Sequence, residues 1–261
     1  MTKVKAPAVA GLFYPGARQS LADTVEGLLS AAHADVSERP LALIAPHAGY
    51  QYSGPIAASA YATLLPWADR IGRVAVLAPS HRVPFRGIAT SGADLFRTPL
   101  GDVPVDRPAV DALEQLPGVS RLDAAFAEEH ALEVQLPFLQ AVLDSFSLVP
   151  LIVGDADAGD VSRVIETLQS DDTLVVISSD LSHYHDYETC QARDRATSDL
   201  IERLDDRDIG PYDACGAYPI RGLLQSARRH GWHAHRLDLR NSGDTAGDRS
   251  RVVGYGAYAF Y

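Results

Sequence analysis

Several things are scarce in this 261-residue chain, and each scarcity excludes something. There are two cysteines, Cys190 and Cys215, far apart and in no C-x-x-C pattern. That rules out a disulfide framework and suits a reducing cytosol, so a cytoplasmic location is expected. Lysine occurs only at Lys3 and Lys5, and the formal net charge is −11. A duplex-binding protein needs a basic face to displace counterions, so nucleic acid is not expected as a partner. No apolar run approaches the roughly 18 residues a membrane span needs. The opening "MTKVKAPAVAGLFYPG" is broken by prolines and a tyrosine, which makes a poor secretory signal. G-x-S-x-G, P-loop and G-x-G-x-x-G motifs are all missing. No Ser/Gly tract or charge block marks a linker, so one domain over 1–261 is expected.

What is present is an alternation of buried strands and helices. Residues from about 18 to 32 place Leu21, Val25, Leu28 and Leu29 at helical spacing. "LALIAP" and "VAVLAP" are continuous apolar runs, as in strands buried on both faces of a parallel sheet. Between them "SGPIAASAYATLLP" reads as a helix capped by Ser53 or Gly54, with Pro55 in its first turn. Strand, helix and strand within about 40 residues make a βαβ unit. "GIATSGADLFRTPLGDVPVD" reads as a hairpin-like excursion, and "EEHALEVQLPFLQAVL" as a helix with an acidic start and a kink or restart at Pro137. Strands in "FSLVPLIVGD", "TLVVISSD", "HAHRLDLR" and "RVVGYGAYAFY" alternate with helices in "VSRVIETLQ", "YETCQARDRATSDLIERL" and "PIRGLLQSARRHG". The expected fold is α/β: a central, mostly parallel or mixed sheet flanked by helices.

Three strands end on a histidine: "LALIAPH" delivers His47, "VAVLAPSH" His81 and "LVVISSDLSH" His183. In open α/β sheets the ligand site lies outside the carboxyl ends of the strands, so these imidazoles can meet in one crevice. Pro46 and Pro79 end the ladder and hold the following histidines outside it. Neutral imidazoles suit divalent transition metals, and two His with one carboxylate is the open-sided set of non-haem iron. The third ligand is sought in "NSGDTAGDRS", where Asp244 and Asp248 precede the last strand; the alternative there is a plain acidic turn. Asp180 either orients His183 or caps a turn. His130 in "EEHALE" reads as pocket lining, with Glu129 and Glu133 as helix-start acids. Phe13, Tyr14, Tyr50 and Tyr52 form either an aromatic rim or ordinary packing, and the other histidines lie in surface loops.

At these residues the chain resembles the Memo family, whose bacterial and archaeal members are labelled protein B of the AmmeMemoRadiSam system. The matching stretches include "GLFYP", "APHAGYQYSGPIAASAY", "APSHRVPF", "EEHALEVQLPFL", "SSDLSHY", "CGAYPI" and "NSGDTAGDRSRVVGYGA", in order over nearly the whole length. The resemblance implies a fold similar to class III extradiol dioxygenases, where two His and one Glu hold Fe(II) and a further His acts as acid and base. It implies His47 and His81 as metal ligands, with His183, supported by Asp180, in the catalytic place. Animal members carry a cysteine as third ligand; the matching position here is Thr245, so no thiolate is expected, and either Asp244 supplies a carboxylate or the site is weak or empty. Fe(II) is the expected ion, with Cu or Zn as alternatives. Animal members are also described as binding phosphotyrosine peptides, a role that would fall near Tyr14 and Tyr52, with His130 lining the substrate pocket. Small-molecule or peptide ligands, a radical-SAM protein and protein A of the system are the expected partners. Two readings stand: a dioxygenase-like oxidoreductase, or a non-enzymatic metal-, peptide- or partner-binding protein that keeps the dioxygenase fold.

Overall fold

The computed structural model describes residues 2–33 and 37–261. In chain order its strands and α-helices are β1 (Val4–Lys5), α1 (Arg18–Ala31), β2 (Ala42–Ala45), α2 (Tyr50–Tyr61), β3 (Arg73–Pro79), β4 (Ile88–Thr90), β5 (Leu95–Thr98), β6 (Gly101–Pro104), α3 (Arg107–Leu113) and β7 (Val119–Arg121). They continue with α4 (Leu136–Val142), β8 (Ser147–Val153), α5 (Ala158–Leu168), β9 (Thr173–Ser178), β10 (His183–His185), α6 (Tyr187–Glu202), α7 (Ala217–His230), β11 (Ala234–Asn241) and β12 (Val252–Phe260).

The main sheet runs β10-β12-β2-β9-β3-β8-β4-β7, with β11 also paired to β12. Its centre, β2-β9-β3-β8, is parallel, and β12 and β4 join antiparallel on either side. It is therefore a mixed sheet with a parallel heart. Every residue of β2 and β9 is buried, which is why β2 and the middle of β9 are apolar without alternation. The crossovers β2–α2–β3 and β8–α5–β9 travel in opposite directions along the sheet. Right-handed connection then puts α2 and α5 on opposite faces. On the α5 side, α7 crosses closely enough that a Cβ on Gly222 would fall 2.3 Å from the Val161 side chain. Helices flank the sheet, and the buried apolar residues form one contiguous core.

The excursion at 88–104 splits. β4 joins the main sheet, while β5 and β6 form a hairpin that pairs with β1 in a separate three-stranded sheet.

Two local expectations are corrected. α2 begins at Tyr50, not at Ser53 or Gly54, and Pro55 lies inside it. The Tyr50 N–H is held by the Phe13 carbonyl, and the Tyr52 and Ser53 N–H groups by that of Gly49, so the earlier turn is already closed. Pro55 deprives only the Gln51 carbonyl of its helical partner, and Gln51 is exposed to water. The "EEHALE" stretch is not a helix start: a turn and a 3-10 segment, Glu133–Gln135, come first, and α4 restarts with Pro137 in its opening turn. Glu129 and Glu133 face inward, where their carboxylates bind other parts of the chain.

Candidate metal centre

His47 follows β2 directly after Pro46, and His81 follows the last residue of β3 by two positions. A third imidazole arrives from outside the sheet: His130, on the turn before α4. One ligand atom from each of His47, His81 and His130 lies within 4.8 Å of the others. The rings of His81 and His130 stack with centroids 4.9 Å apart, and His47 stands edge-on to both, at 5.2 and 5.5 Å.

The hydrogen bonds behind the rings fix which nitrogen of each is free. Ser178, at the end of β9, donates its hydroxyl proton to the Ala131 carbonyl, 2.6 Å away. Its oxygen already accepts from Gln135 Nε2 at 2.7 Å, and Gln135 is oriented by donating to the Pro46 carbonyl at 3.0 Å. The His47 Nδ1 contact to Ser178 Oγ, 2.8 Å, is therefore an N–H donated by histidine. Nε2 of His47 keeps its lone pair. His81 Nδ1 lies 2.9 Å from Glu129 Oε1, an acceptor when ionised, which again leaves Nε2 bare. His183 Nδ1 lies 2.8 Å from the Leu181 carbonyl, which can only accept, with the same result. Nδ1 of His130 is buried and has no hydrogen-bond partner. It lies 3.3 Å from Glu129 Oε1, without hydrogen-bond geometry.

Glu129 organises this wall. Its carboxylate accepts from the backbone N–H groups of His81, His130 and Ala131 as well as from the His81 ring. Burial lifts its pKa, but the His81 hydrogen bond and charge and the backbone donors outweigh that, and the net shift is downward. Burial, with the neighbouring histidines, holds the His47 pKa well below its usual value, and burial brings His130 down to about 4. His47 and His130 are thus held neutral at pH 7, as metal ligation requires. Asp180 is also buried. It accepts the His47 backbone N–H at 2.8 Å, and desolvation raises its pKa.

One site residue escaped the sequence reading. Cys215 Sγ lies 3.3 Å from His47 Nε2. Because that nitrogen carries no proton, the thiol is the donor. Part of Cys215 reaches the surface, but its sulfur sits among Ser179, Asp180 and His47. Burial first, then the Asp180 charge, pushes its pKa up. The loop before α7 can come this close because residue 216 is glycine: a Cβ there would fall 2.6 Å from that of Ser179. A sulfur does lie beside His47, outside the group of three histidines. The sulfur comes from position 215, in the "CGAYPI" stretch, not from the loop around Thr245, whose hydroxyl bonds the Ser242 carbonyl. The Cys-Gly pair ahead of a helix was the one signal in the sequence.

The remaining candidates are distributed as follows. Asp244 is exposed and outside the histidine group; its carboxylate accepts from the Asn241 N–H and the Tyr187 hydroxyl, closing a capping box. Asp248 is exposed and accepts from the Ser250 N–H. Tyr14 is buried and donates to Glu133, which also takes the Ala8 and Val9 N–H groups, so it fastens the N-terminal arm. That arm sets Phe13 against His130, ring centroids 4.7 Å apart. Tyr52 is half-buried in the first turn of α2. A cleft of about 490 Å³ lined by Phe13, Tyr14, Gly49, Tyr50 and Gln51 adjoins the histidines through Phe13. The larger cavity, about 800 Å³, lies elsewhere, between α1, the end of α4 and the β5–β6 hairpin, and no histidine lines it.

His47, His81 and His130 together form a group that could hold a metal ion, with the Cys215 thiol beside His47. Among the described residues no helix is long and apolar enough to cross a membrane.

Comparison with known proteins agrees with the geometry. Residues 5–259 match the family described as Memo-like protein. A MEMO1 family protein of Methanopyrus kandleri is 34% identical over 279 residues, covering 98% of each chain. One from Aquifex aeolicus is 34% identical over 265 residues, covering 97% of each. In fold, the chain is similar to the crystal structure of an uncharacterized Escherichia coli protein, with TM-score 0.55 at 12% identity, over 83% of this chain and 99% of the other. By the span of the family match and by these relatives, the chain belongs to the Memo family.

Proposed function

We propose that this protein binds a divalent transition metal at His47, His81 and His130, with Cys215 as a sulfur donor at the His47 side, and uses it as a dioxygenase-like oxidoreductase. The observation that carries the reading is the meeting of three imidazoles from separate segments, with Nδ1 of His47 and of His81 held by Ser178 and Glu129 so that Nε2 carries the lone pair. Fe(II) is the first choice of ion, with Cu or Zn as alternatives. When bound, such an ion supplies Lewis acidity and, for iron or copper, one-electron chemistry.

The chain's own residues supply the rest. His183, its Nδ1 bonded to the Leu181 carbonyl, offers Nε2 as a proton acceptor beside the site. Asp180 holds the His47 backbone in place. Phe13, packed on the His130 ring, gives the site an apolar wall on that side. The reading places the protein in the cytoplasm, working with a radical-SAM protein and protein A of the AmmeMemoRadiSam system.

The thiol on His47 Nε2 favours a second reading. A sulfur-containing set holds a soft ion tightly, as a metal-keeping or peptide- or partner-binding protein would.

Metal analysis of the purified protein and anaerobic Fe(II) reconstitution followed by O₂ uptake with a catechol panel separate the readings. Wild type is expected to retain about one ion per chain, and His47→Ala or His81→Ala to lose it. Unchanged metal in both variants ends the metal reading. Metal retention with no O₂ uptake leaves the second reading standing.

A further inference from the structure

Asp194, on α6, is a buried carboxylate that the site as described does not use. It is 2% exposed, and among the described residues no lysine or arginine forms an ion pair with it. A carboxylate buried without a cation must be held by hydrogen bonds, or its desolvation is uncompensated. Both its oxygens are taken. Oδ1 accepts the Ser182 N–H and Oδ2 the Cys190 thiol, each at 3.0 Å. Burial, then the bond to Asp194, pushes the Cys190 pKa up to about 12, so the thiol stays a donor. Room for the carboxylate comes from β12, where residue 254 is glycine: a Cβ there would run into Oδ2.

Ser182 precedes His183, and the peptide group between Leu181 and Ser182 has a partner at each end. Its N–H donates to Asp194 Oδ1, and its C=O accepts from His183 Nδ1, 2.8 Å away. In a trans peptide the N–H and C=O point in opposite directions across one rigid plane. Carboxylate and imidazole are thus linked in series through a single planar group. Hydrogen bonds in such a series polarise one another, so an acceptor with negative charge at the N–H end makes the carbonyl a stronger acceptor. A stronger acceptor at Nδ1 keeps the ring proton there and the lone pair on Nε2. The backbone around this peptide is pinned as well. Leu181 N–H donates to the Gly254 carbonyl and Gly254 N–H to the Ser182 carbonyl, both at 2.8 Å, and His183 lies opposite Val253 in the β10–β12 pair.

We propose that Asp194 is a positioning residue for His183, acting through the Leu181–Ser182 peptide to fix the tautomer and direction of the ring and so keep Nε2 free to take a proton. The inference rests on the reading of His183 as proton acceptor and adds the group that holds it in that role. Asp194 itself neither gains nor passes on a proton.

The test is ¹⁵N NMR of the metal-free full chain at a pH of about 8, where an ordinary imidazole is neutral. The two ring nitrogens of His183 are read through its C–H protons. Wild type is expected to show one tautomer, with the proton on Nδ1. Asp194→Ala is expected to lose that single tautomer and give a mixture, since the peptide has lost its anchor. Asp194→Asn keeps an acceptor for the Ser182 N–H but not the charge. It is expected to restore the Nδ1–H tautomer, with the Ser182 amide proton moved upfield and the His183 Nδ1 resonance shifted. A carboxylate that only fills space would leave the Nδ1 resonance where it is. A single Nδ1–H tautomer in Asp194→Ala overturns the inference alone. So does an unmoved Nδ1 resonance in Asp194→Asn, which decides the matter even where the alanine variant fails to fold. A wild-type ring with its proton on Nε2 overturns both the inference and the reading of His183 beneath it. Unchanged amide resonances of β2 and β9 check that each variant keeps its fold.

Discussion

Ser178 shows how much of the site rests on a residue that would touch no ion. Its hydroxyl joins His47 to the turn carrying His130, and it takes a proton from the His47 ring. Ser178→Ala leaves the His47 Nδ1–H and the Gln135 amide competing for fewer acceptors. A stability loss of about 1–3 kcal/mol is expected from the unsatisfied donor. Metal affinity should fall roughly 10- to 100-fold, because the tautomer is no longer imposed. Chelator competition on wild type and variant measures this, and equal affinities would show that Ser178 only packs. His130 gives a second residue-level expectation. Its folded pKa is about 4 against the ordinary 6.5. Between those values the unfolded chain takes up a proton and the folded chain does not, so His130 favours unfolding increasingly as pH drops from 7 to 4. The cost at pH 5 is about 2 kcal/mol. Asp180 and Asp194, lifted by burial, act in the opposite sense. The clean measurement is therefore the difference between metal-free wild type and His130→Gln in urea at pH 7 and pH 5. The pH-linked loss should shrink by about that amount in the variant. At this scale the sequence was readable where chemistry follows a strand end: Pro46 and Pro79 stop the ladder, and the histidines come next. His130 and Cys215 were harder, because what brings them in is a contact between distant loops. The Cys-Gly pair hints at a close approach, but it does not say that the partner of residue 216 will be Ser179.

At the scale of elements, apolar runs told more than caps did. β2, β3, β8 and β9 were legible because the middle of a strand buried on both faces is a continuous apolar run. The start of α2 and the turn at 129–132 were not, because each is set by a partner remote in sequence: the Phe13 carbonyl for one, the His81 N–H and ring for the other. The same logic separates scaffold from site in a mutation. Gly222 lies where α7 crosses α5, and a methyl there meets Val161. Gly222→Ala is expected to cost about 1–3 kcal/mol and lower Tm by about 5 °C. Metal affinity should be unchanged, since the crossing holds none of the donors. A scan with and without metal checks both halves; a loss of affinity equal to that of Ser178→Ala would mean the crossing supports the site.

For the molecule as a whole, a ligand that binds only the folded chain stabilises it by mass action. At an ion concentration of about 100 times Kd the gain is roughly 2.7 kcal/mol. EDTA should therefore lower Tm of the wild type by several degrees and leave that of His47→Ala unmoved. An EDTA shift of the same size in both would place the responsible ion elsewhere.

The pairing of β12 has a consequence for how the protein comes into being. This strand is synthesised after every other described strand, yet it lies inside the sheet and bonds β2, β10 and β11. Until residue 260 has left the ribosome, β2 has an open edge and His183 has no strand to fix it. A nascent chain must therefore wait with its central strands exposed, which makes it a client for chaperones. A chain cut before residue 252 lacks the strand that pairs with β2 and β10, so such a fragment should hold metal poorly.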